Sequence, residues 1–251
     1  MKISIITTSF NSEKTIEDTI KSVLNQSYSN IEYIIVDGGS KDDTLDIVNK
    51  YKNKISRVIS EKDDGIFDAM NKGVKLATGD IVGILNSDDF YVDNYVLESI
   101  VYNFQEKKCD ACYGNLIYID QDDKKKVTRY WRADDFQEKK LNYGWAPPHP
   151  CFFVKKSVYE KYGYFRLDFP IAADYELMLR FIKLGKIKLS YLDKNLVYMR
   201  EGGNSGNGII QRIKGLNELV HSWRVNNLKV PKLFFWKRPL FKIHQFFSKP
   251  F

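Results

Sequence analysis

Long apolar runs are missing from this 251-residue chain: no stretch approaches the roughly 18 apolar residues that a membrane-spanning helix requires. Cysteine is scarce, with three residues, which excludes a disulfide framework and points to a reducing compartment, the cytoplasm. The opening Met1-Lys2-Ile3-Ser4-Ile5-Ile6 turns polar without a small-residue cleavage site, so it reads as a first strand and not as a signal peptide. Glycine (15 residues) and proline (7) are too few for a fibre, and 43% hydrophobic residues exclude global disorder. Both glycine-rich nucleotide signatures are absent. Where a dinucleotide fold needs G-x-G-x-x-G, the chain has Thr7-Thr8-Ser9-Phe10-Asn11, and no G-x-x-x-x-G-K-[ST] occurs. Cys109-Asp110-Ala111-Cys112 has C-x-x-C spacing, but no second Cys or His pair follows at zinc-ribbon distance, so buried thiols are expected there. There is no internal repeat.

Net charge is absent from most of the chain. Residues 209–251 hold nine Lys or Arg against the single acid Glu218, a net of +8. Since the whole protein carries +7, residues 1–208 carry −1. A nucleic-acid enzyme would spread basic residues around its groove, so no nucleic-acid partner is expected. The tail interleaves its cations with rings, as in Phe234-Phe235-Trp236-Lys237-Arg238 and Phe241-Lys242. Through residues 229–251 that mixture suits peripheral contact with an anionic membrane, and equally an amphipathic helix packed on the body.

What is present is an alternation of strands and helices. Lys2–Thr8, Ile31–Val36, Ser56–Ser60 and Asp80–Leu85 are apolar or β-branched and read as strands. Between them lie helical patterns: Ile16, Ile20, Val23 and Leu24; then Leu45, Ile47 and Val48; then Phe67–Ala77. Four β–α units in about 100 residues predict an α/β fold with a mostly parallel, doubly wound sheet. The second half is less regular. Strands are expected at Ala111–Ile119, Lys126–Trp131, Ile187–Tyr191 and Leu196–Met199, and a helix at Ile171–Leu184. Tyr143–Pro150 is a proline-rich loop, and residues 202–206 (Gly-Gly-Asn-Ser-Gly) a flexible break.

Asp37, Asp63 and Asp88 each follow a predicted strand, at the sheet edge where such folds bind ligands. Clustered carboxylates without a glycine cradle point to a diphosphate held through a hard cation, Mg²⁺ or Mn²⁺. Taken singly, each aspartate is as well explained as a turn former or helix cap.

In five stretches the sequence resembles family 2 glycosyltransferases of the GT-A fold. They are Ser4–Asn11, Val36–Thr44, Ser60–Gly73, Leu85–Asp89 and Ala172–Arg180, in the family's order. The resemblance is to small bacterial enzymes of capsule, exopolysaccharide and O-antigen synthesis. It implies metal-dependent, inverting transfer from a nucleotide sugar, UDP-linked by preference, to a saccharide or lipid-linked saccharide at the inner face of the membrane. It divides the chain into a GT-A domain, 1–208, with a nucleotide half (1–108) and an acceptor half (109–208), followed by a helical tail, 209–251.

The same resemblance assigns roles. Asp37 would accept a base N–H, with Ser9, Phe10 and Asn11 lining the base pocket. Asp63 and Asn71 would enclose the nucleotide. Asn86-Ser87-Asp88 stands for the DxD-type motif, with Asn86 and Ser87 at the nucleotide, Asp88 as metal ligand and Asp89 as a second ligand or a cap. Asp174 would be the general base, although Ala173 replaces the family's preceding Glu. His149 and Arg180 are placed on the acceptor side or in local packing. The processive members' Q-x-x-R-W is absent, which implies one transfer per encounter. Two other readings compete: a nucleotidyltransferase, and a carbohydrate-binding module that has lost catalysis.

Overall fold

The computed structural model describes residues 1–202, 209–231 and 250. The first half winds as predicted. Strand β1 (Ile3–Ser9) leads to helix α1 (Ile16–Leu24), β2 (Ile31–Asp37), α2 (Thr44–Lys50), β3 (Arg57–Ser60), α3 (Ile66–Leu76) and β4 (Ile81–Ile84). β1 is buried along its whole length and pairs in parallel with β2 on one side and β4 on the other. β3 joins β2, also in parallel.

Side chains along a strand alternate between faces, and here the alternation assigns the layers. Ile3, Ile5, Tyr33 and Ile35 pack with Ile16 and Ile20 of α1 and Val48 of α2. Ile6, Ile34 and Val36 pack against Met70 and Val74 of α3 on the opposite face. α3 lies close to β1 because Gly73 has no side chain: a Cβ there would stand 2.3 Å from Ile6 Cγ2.

The second half mixes directions. It runs β5 (Phe90–Tyr91), α4 (Val96–Lys107), β6 (Ala111–Ile119), β7 (Val127–Trp131), α5 (Glu138–Leu141), β8 (Phe152–Lys155), α6 (Lys156–Tyr162), α7 (Ala173–Leu179), β9 (Leu189–Arg200) and α8 (Ile209–Val225). The sheet order is β3-β2-β1-β4-β8-β6-β9-β5, with β7 on β6. β8 is antiparallel to both β4 and β6 and joins the halves, whereas β6 and β9 are parallel. The chain is therefore α/β, with a sheet that is parallel in its first half and mixed in its second.

Three departures from expectation have local causes. β5 and β8 are two and four residues long, too short to show a period of two. The two strands expected at Ile187–Tyr191 and Leu196–Met199 are one, β9. Its polar middle, Asp193 and Asn195, is carried by register shifts against β6 at Tyr113, Asn115 and Leu116. Asp193 there accepts a hydrogen bond from Asn115 Nδ2 and an ion pair from Arg132. The helix expected to run through Leu184 leaves α geometry after Leu179 and ends in a π turn, Arg180–Leu184.

The three cysteines are free and buried, and burial pushes the Cys109 and Cys112 thiols up. Among the described residues no helix is long and apolar enough to cross a membrane. Most of the expected 202–206 break and of the basic aromatic segment 229–251 lies outside the described residues.

Candidate active site

The register Ser9↔Asp37↔Ser60 brings the carboxyl ends of β1, β2 and β3 to one edge, and Asn86–Asp89 follows β4 at the same edge. The β1 and β2 loops are joined side by side. Asn11 N–H donates to Ser40 Oγ (2.8 Å), Lys41 N–H to Asn11 Oδ1 (2.9 Å) and Ser12 N–H to Thr44 Oγ1 (2.7 Å). Asn11 adopts φ 48°, a left-handed conformation that asparagine tolerates. Phe10 projects outward, 59% exposed, at the mouth of this edge.

Asp37 departs from expectation. It is fully buried, and its carboxylate accepts hydrogen bonds from Ser9 Oγ, Ser40 Oγ, Ser60 Oγ and the N–H groups of Gly39 and Ser40. With five donors from its own chain, it organises the loop after β2, and a base N–H would have to displace one of them. Asp63 lies against that loop: a Cβ on Gly38 would be 2.5 Å from Asp63 Oδ2, so Gly38 makes room for it. Asp63 Oδ1 also accepts the N–H of Gly65 (3.0 Å), one residue before α3.

Asn71 is a second correction. It is buried, and its amide is spent on the backbone of Phe165, donating to the carbonyl at 2.8 Å and accepting the N–H at 2.9 Å. It ties the two halves together instead of contacting the nucleotide. Ser87, also buried, shares a hydrogen bond with Ser12 Oγ (2.7 Å), and Asn86 Oδ1 accepts from Thr8 Oγ1 (3.2 Å).

Asp88 and Asp89 part company. Asp88 is half-buried, and no other described residue donates to its carboxylate; burial raises its pKa and the nearby Arg200 opposes the rise. Asp89 is fully buried with neither carboxylate oxygen hydrogen-bonded. Burial and the Asp88 charge push its pKa well above the carboxylate range. Its carboxyl is thus closed off from the solvent at this edge, whereas that of Asp88 is partly open to it.

Arg200, which sequence reasoning missed, is the buried cation beneath this turn. It donates to the Asp88 carbonyl and to Asp18, and its guanidinium stands 5.0 Å from the Phe90 ring centre. Only its place at the end of a strand hinted at it.

Among the described residues no cluster of three His, Cys, Asp or Glu could cage a metal. One free carboxylate at the edge nonetheless fits Mg²⁺ or Mn²⁺ carried by a nucleotide diphosphate, since Mg²⁺ typically uses one or two carboxylates plus substrate phosphates.

The acceptor side is reached through β8. Being antiparallel to β4, β8 begins at the edge where β4 ends, and His149 lies in the short turn just before it. The His149 ring meets Phe165 edge-on at 5.8 Å, and Phe165 stacks on Phe67 of α3. Burial lowers the His149 pKa, and the charge of Asp174 opposes that fall. Asp174 lies in the first turn of α7, where the helix dipole favours an anion, and its Oδ1 accepts the N–H of Tyr175 (2.8 Å).

Arg180 is not an acceptor ligand. It forms a two-pronged ion pair with buried Glu176 (3.0 and 2.9 Å) and donates to the carbonyls of Tyr162 and Tyr164.

A doubly wound parallel half with carboxylates at its strand ends, joined through β8 to a mixed half, is the architecture of the GT-A fold. Solved structures share the fold. Staphylococcus aureus TarS bound to UDP-GlcNAc superposes with a TM-score of 0.68 at 19% identity, covering 95% of this chain and 74% of that one. The Pyrobaculum calidifontis mannosyltransferase PcManGT, in complex with GDP-Man and Mn²⁺, gives 0.66 at 19% identity over 96% and 68%. Residues 4–163 match the model of glycosyl transferase family 2, and the chain belongs to that family. It is 30% identical, over 86% of its length and 85% of the relative's, to the Escherichia coli UDP-Glc:α-D-GlcNAc-diphosphoundecaprenol β-1,3-glucosyltransferase WfaP.

Proposed function

We propose that this glycosyltransferase moves a sugar from a UDP-sugar to a hydroxyl of a saccharide carried on a lipid diphosphate, with inversion at the anomeric carbon. What supports the reading is the Asp88 carboxylate after β4, to which no other described residue donates, together with the Asp174 carboxylate in the first turn of α7, whose charge is felt by His149 just before β8. The zipped β1 and β2 loops, ordered by Asp37, present Phe10 and Asn11 to the base. Asp88 would hold Mg²⁺ or Mn²⁺, which when bound neutralises the charge of the departing diphosphate. Asp174 takes the proton of the acceptor hydroxyl as that oxygen bonds to the anomeric carbon. The bond from that carbon to the diphosphate oxygen breaks on the opposite side, and UDP leaves with its electron pair. No covalent enzyme intermediate forms. His149, whose imidazole feels the Asp174 charge, would line the approach of the acceptor. The relative's lipid-linked acceptor and this chain's basic aromatic segment 229–251 support an acceptor met at a membrane surface.

The test is UDP release and sugar transfer from a panel of UDP-sugars to a lipid-diphosphate-linked N-acetylhexosamine, with and without EDTA. EDTA is expected to abolish transfer and added Mn²⁺ to restore it. Asp174→Asn is expected to lower kcat by about 10²–10⁴-fold while leaving UDP affinity by calorimetry unchanged. Full turnover in Asp174→Asn would remove it as the base.

A further inference from the structure

Helix α7, which carries Asp174, is seven residues long and has no capping side chain of its own. The two amide donors that lead into it are met from α8. Glu218 Oε2 accepts the N–H of Ile171 at 3.0 Å and that of Ala172 at 2.8 Å, immediately before the helix begins. The same face of α8 holds the next residues of α7. Trp223 Nε1 donates to Tyr175 Oη (3.1 Å), and Asn226 Nδ2 donates to Glu176 Oε1 (2.9 Å). Glu218, Ser222 and Asn226 recur every four residues, so they share one stripe of α8, and Ser222 Oγ bonds back to the Glu218 carbonyl at 2.8 Å. Glu218 is also the only acid in residues 209–251, set among nine cations, and it is turned inward to this junction.

We infer that Glu218 is a positioning residue for sugar transfer: by holding the Ile171 and Ala172 amides it fixes the start of α7 and the direction in which Asp174 points. The inference rests on Asp174 being the base. A reacting group displaced by about 1 Å costs about 10²-fold in rate, so a side chain that never meets substrate can still set kcat. The donor site, built from the β1, β2 and β4 ends, does not depend on this junction.

The test measures kcat, donor KM, UDP affinity and thermal unfolding for the full-length enzyme and its Glu218 variants. Glu218→Ala is expected to lower kcat by about 10–100-fold with donor KM and UDP affinity unchanged. Glu218→Gln, whose amide oxygen can accept the same two N–H groups, is expected to restore kcat to near the parent value. A lower unfolding temperature with an unchanged kcat per folded molecule would overturn the proposal, because that is what a purely structural contact predicts. If Glu218→Ala does not fold, Glu218→Asp decides. It withdraws the carboxylate by one methylene, and full turnover in it overturns the proposal, whereas a reduced kcat at constant donor KM supports it. Normal turnover in Asp174→Asn would remove the base itself; an inactive Asp174→Asn beside a fully active Glu218→Ala would remove only the positioning role.

Discussion

The two halves of the enzyme place their polar groups differently. In the first half, each strand-end loop satisfies itself or its neighbour: Asp37 is bonded by Ser9, Gly39, Ser40 and Ser60, and Asn11 by Ser40 and Lys41. In the second, side chains tie separate elements to one another. Asn71 clasps Phe165, Arg180 joins Glu176 to the Tyr162–Tyr164 backbone, and Glu218 holds the start of α7. The strand-end loops of the first half are organised by their immediate neighbours, and the start of α7 is held by contacts that exist only once α8 has docked.

That contrast can be broken first at its most deeply buried ion pair. Arg180→Met should leave the Glu176 carboxylate, fully buried, without its ion partner and cost about 3–5 kcal/mol of stability by chemical denaturation. Were Arg180 an acceptor ligand, the loss would appear in acceptor KM with stability intact.

A pH experiment probes the first half. Burial alone would raise the Glu32 pKa, but hydrogen bonds from Ser4, Thr78 and Lys2 hold it down to about 2. A depressed carboxylate stabilises the fold above its unfolded pKa, and that stability is lost as pH falls from about 4.5 toward 2. The contribution at neutral pH is about 3 kcal/mol, and Glu32→Gln should lack that part of the slope between pH 5 and 2.

A smaller loss is expected from Asn71→Leu. It leaves the buried Phe165 N–H and carbonyl without partners, at about 2 kcal/mol, while UDP affinity stays within about twofold. A large fall in UDP affinity would return Asn71 to the nucleotide. The smallest effect should come from Gly73→Ala, where crowding against Ile6 costs about 1–3 kcal/mol and improved helix propensity returns about 1. Thermal unfolding should show a net loss of about 1 kcal/mol; a gain would mean that β1 and α3 can separate freely.

How much of the site could be read beforehand follows the same division. Ser9, Phe10, Asn11, Asp63, Asn86, Ser87 and Asp88 all come to the edge expected of them, because strand ends in a parallel sheet share an edge whatever their loops do. What those side chains bond to was not legible. Asp37 and Asn71 look like ligand groups in a list of residues and prove to be internal anchors, because a side chain's partner depends on which loop or helix comes to lie against it. Asp88 and Asp89 are chemically identical neighbours, and only the course of the turn leaves one free and seals the other. Arg200 at a strand end and Glu218 as the single acid of residues 209–251 stood out only by position, and their partners were not legible, since a charged residue in a strand or a helix is ordinarily solvated.

By itself the sequence determined the layers: the period-two alternation of β1 and β2 and the helical spacing of α1 and α3 decide which face each residue buries, and they do so through contacts only a few residues apart in the pattern. The tertiary structure decided the rest. It joined a parallel half to a mixed one through β8, brought α8 back onto the helix of Asp174, and separated anchoring carboxylates from available ones. Those outcomes depend on desolvation and hydrogen bonding between segments up to 182 residues apart, as at Asp18 and Arg200, and no local pattern encodes them.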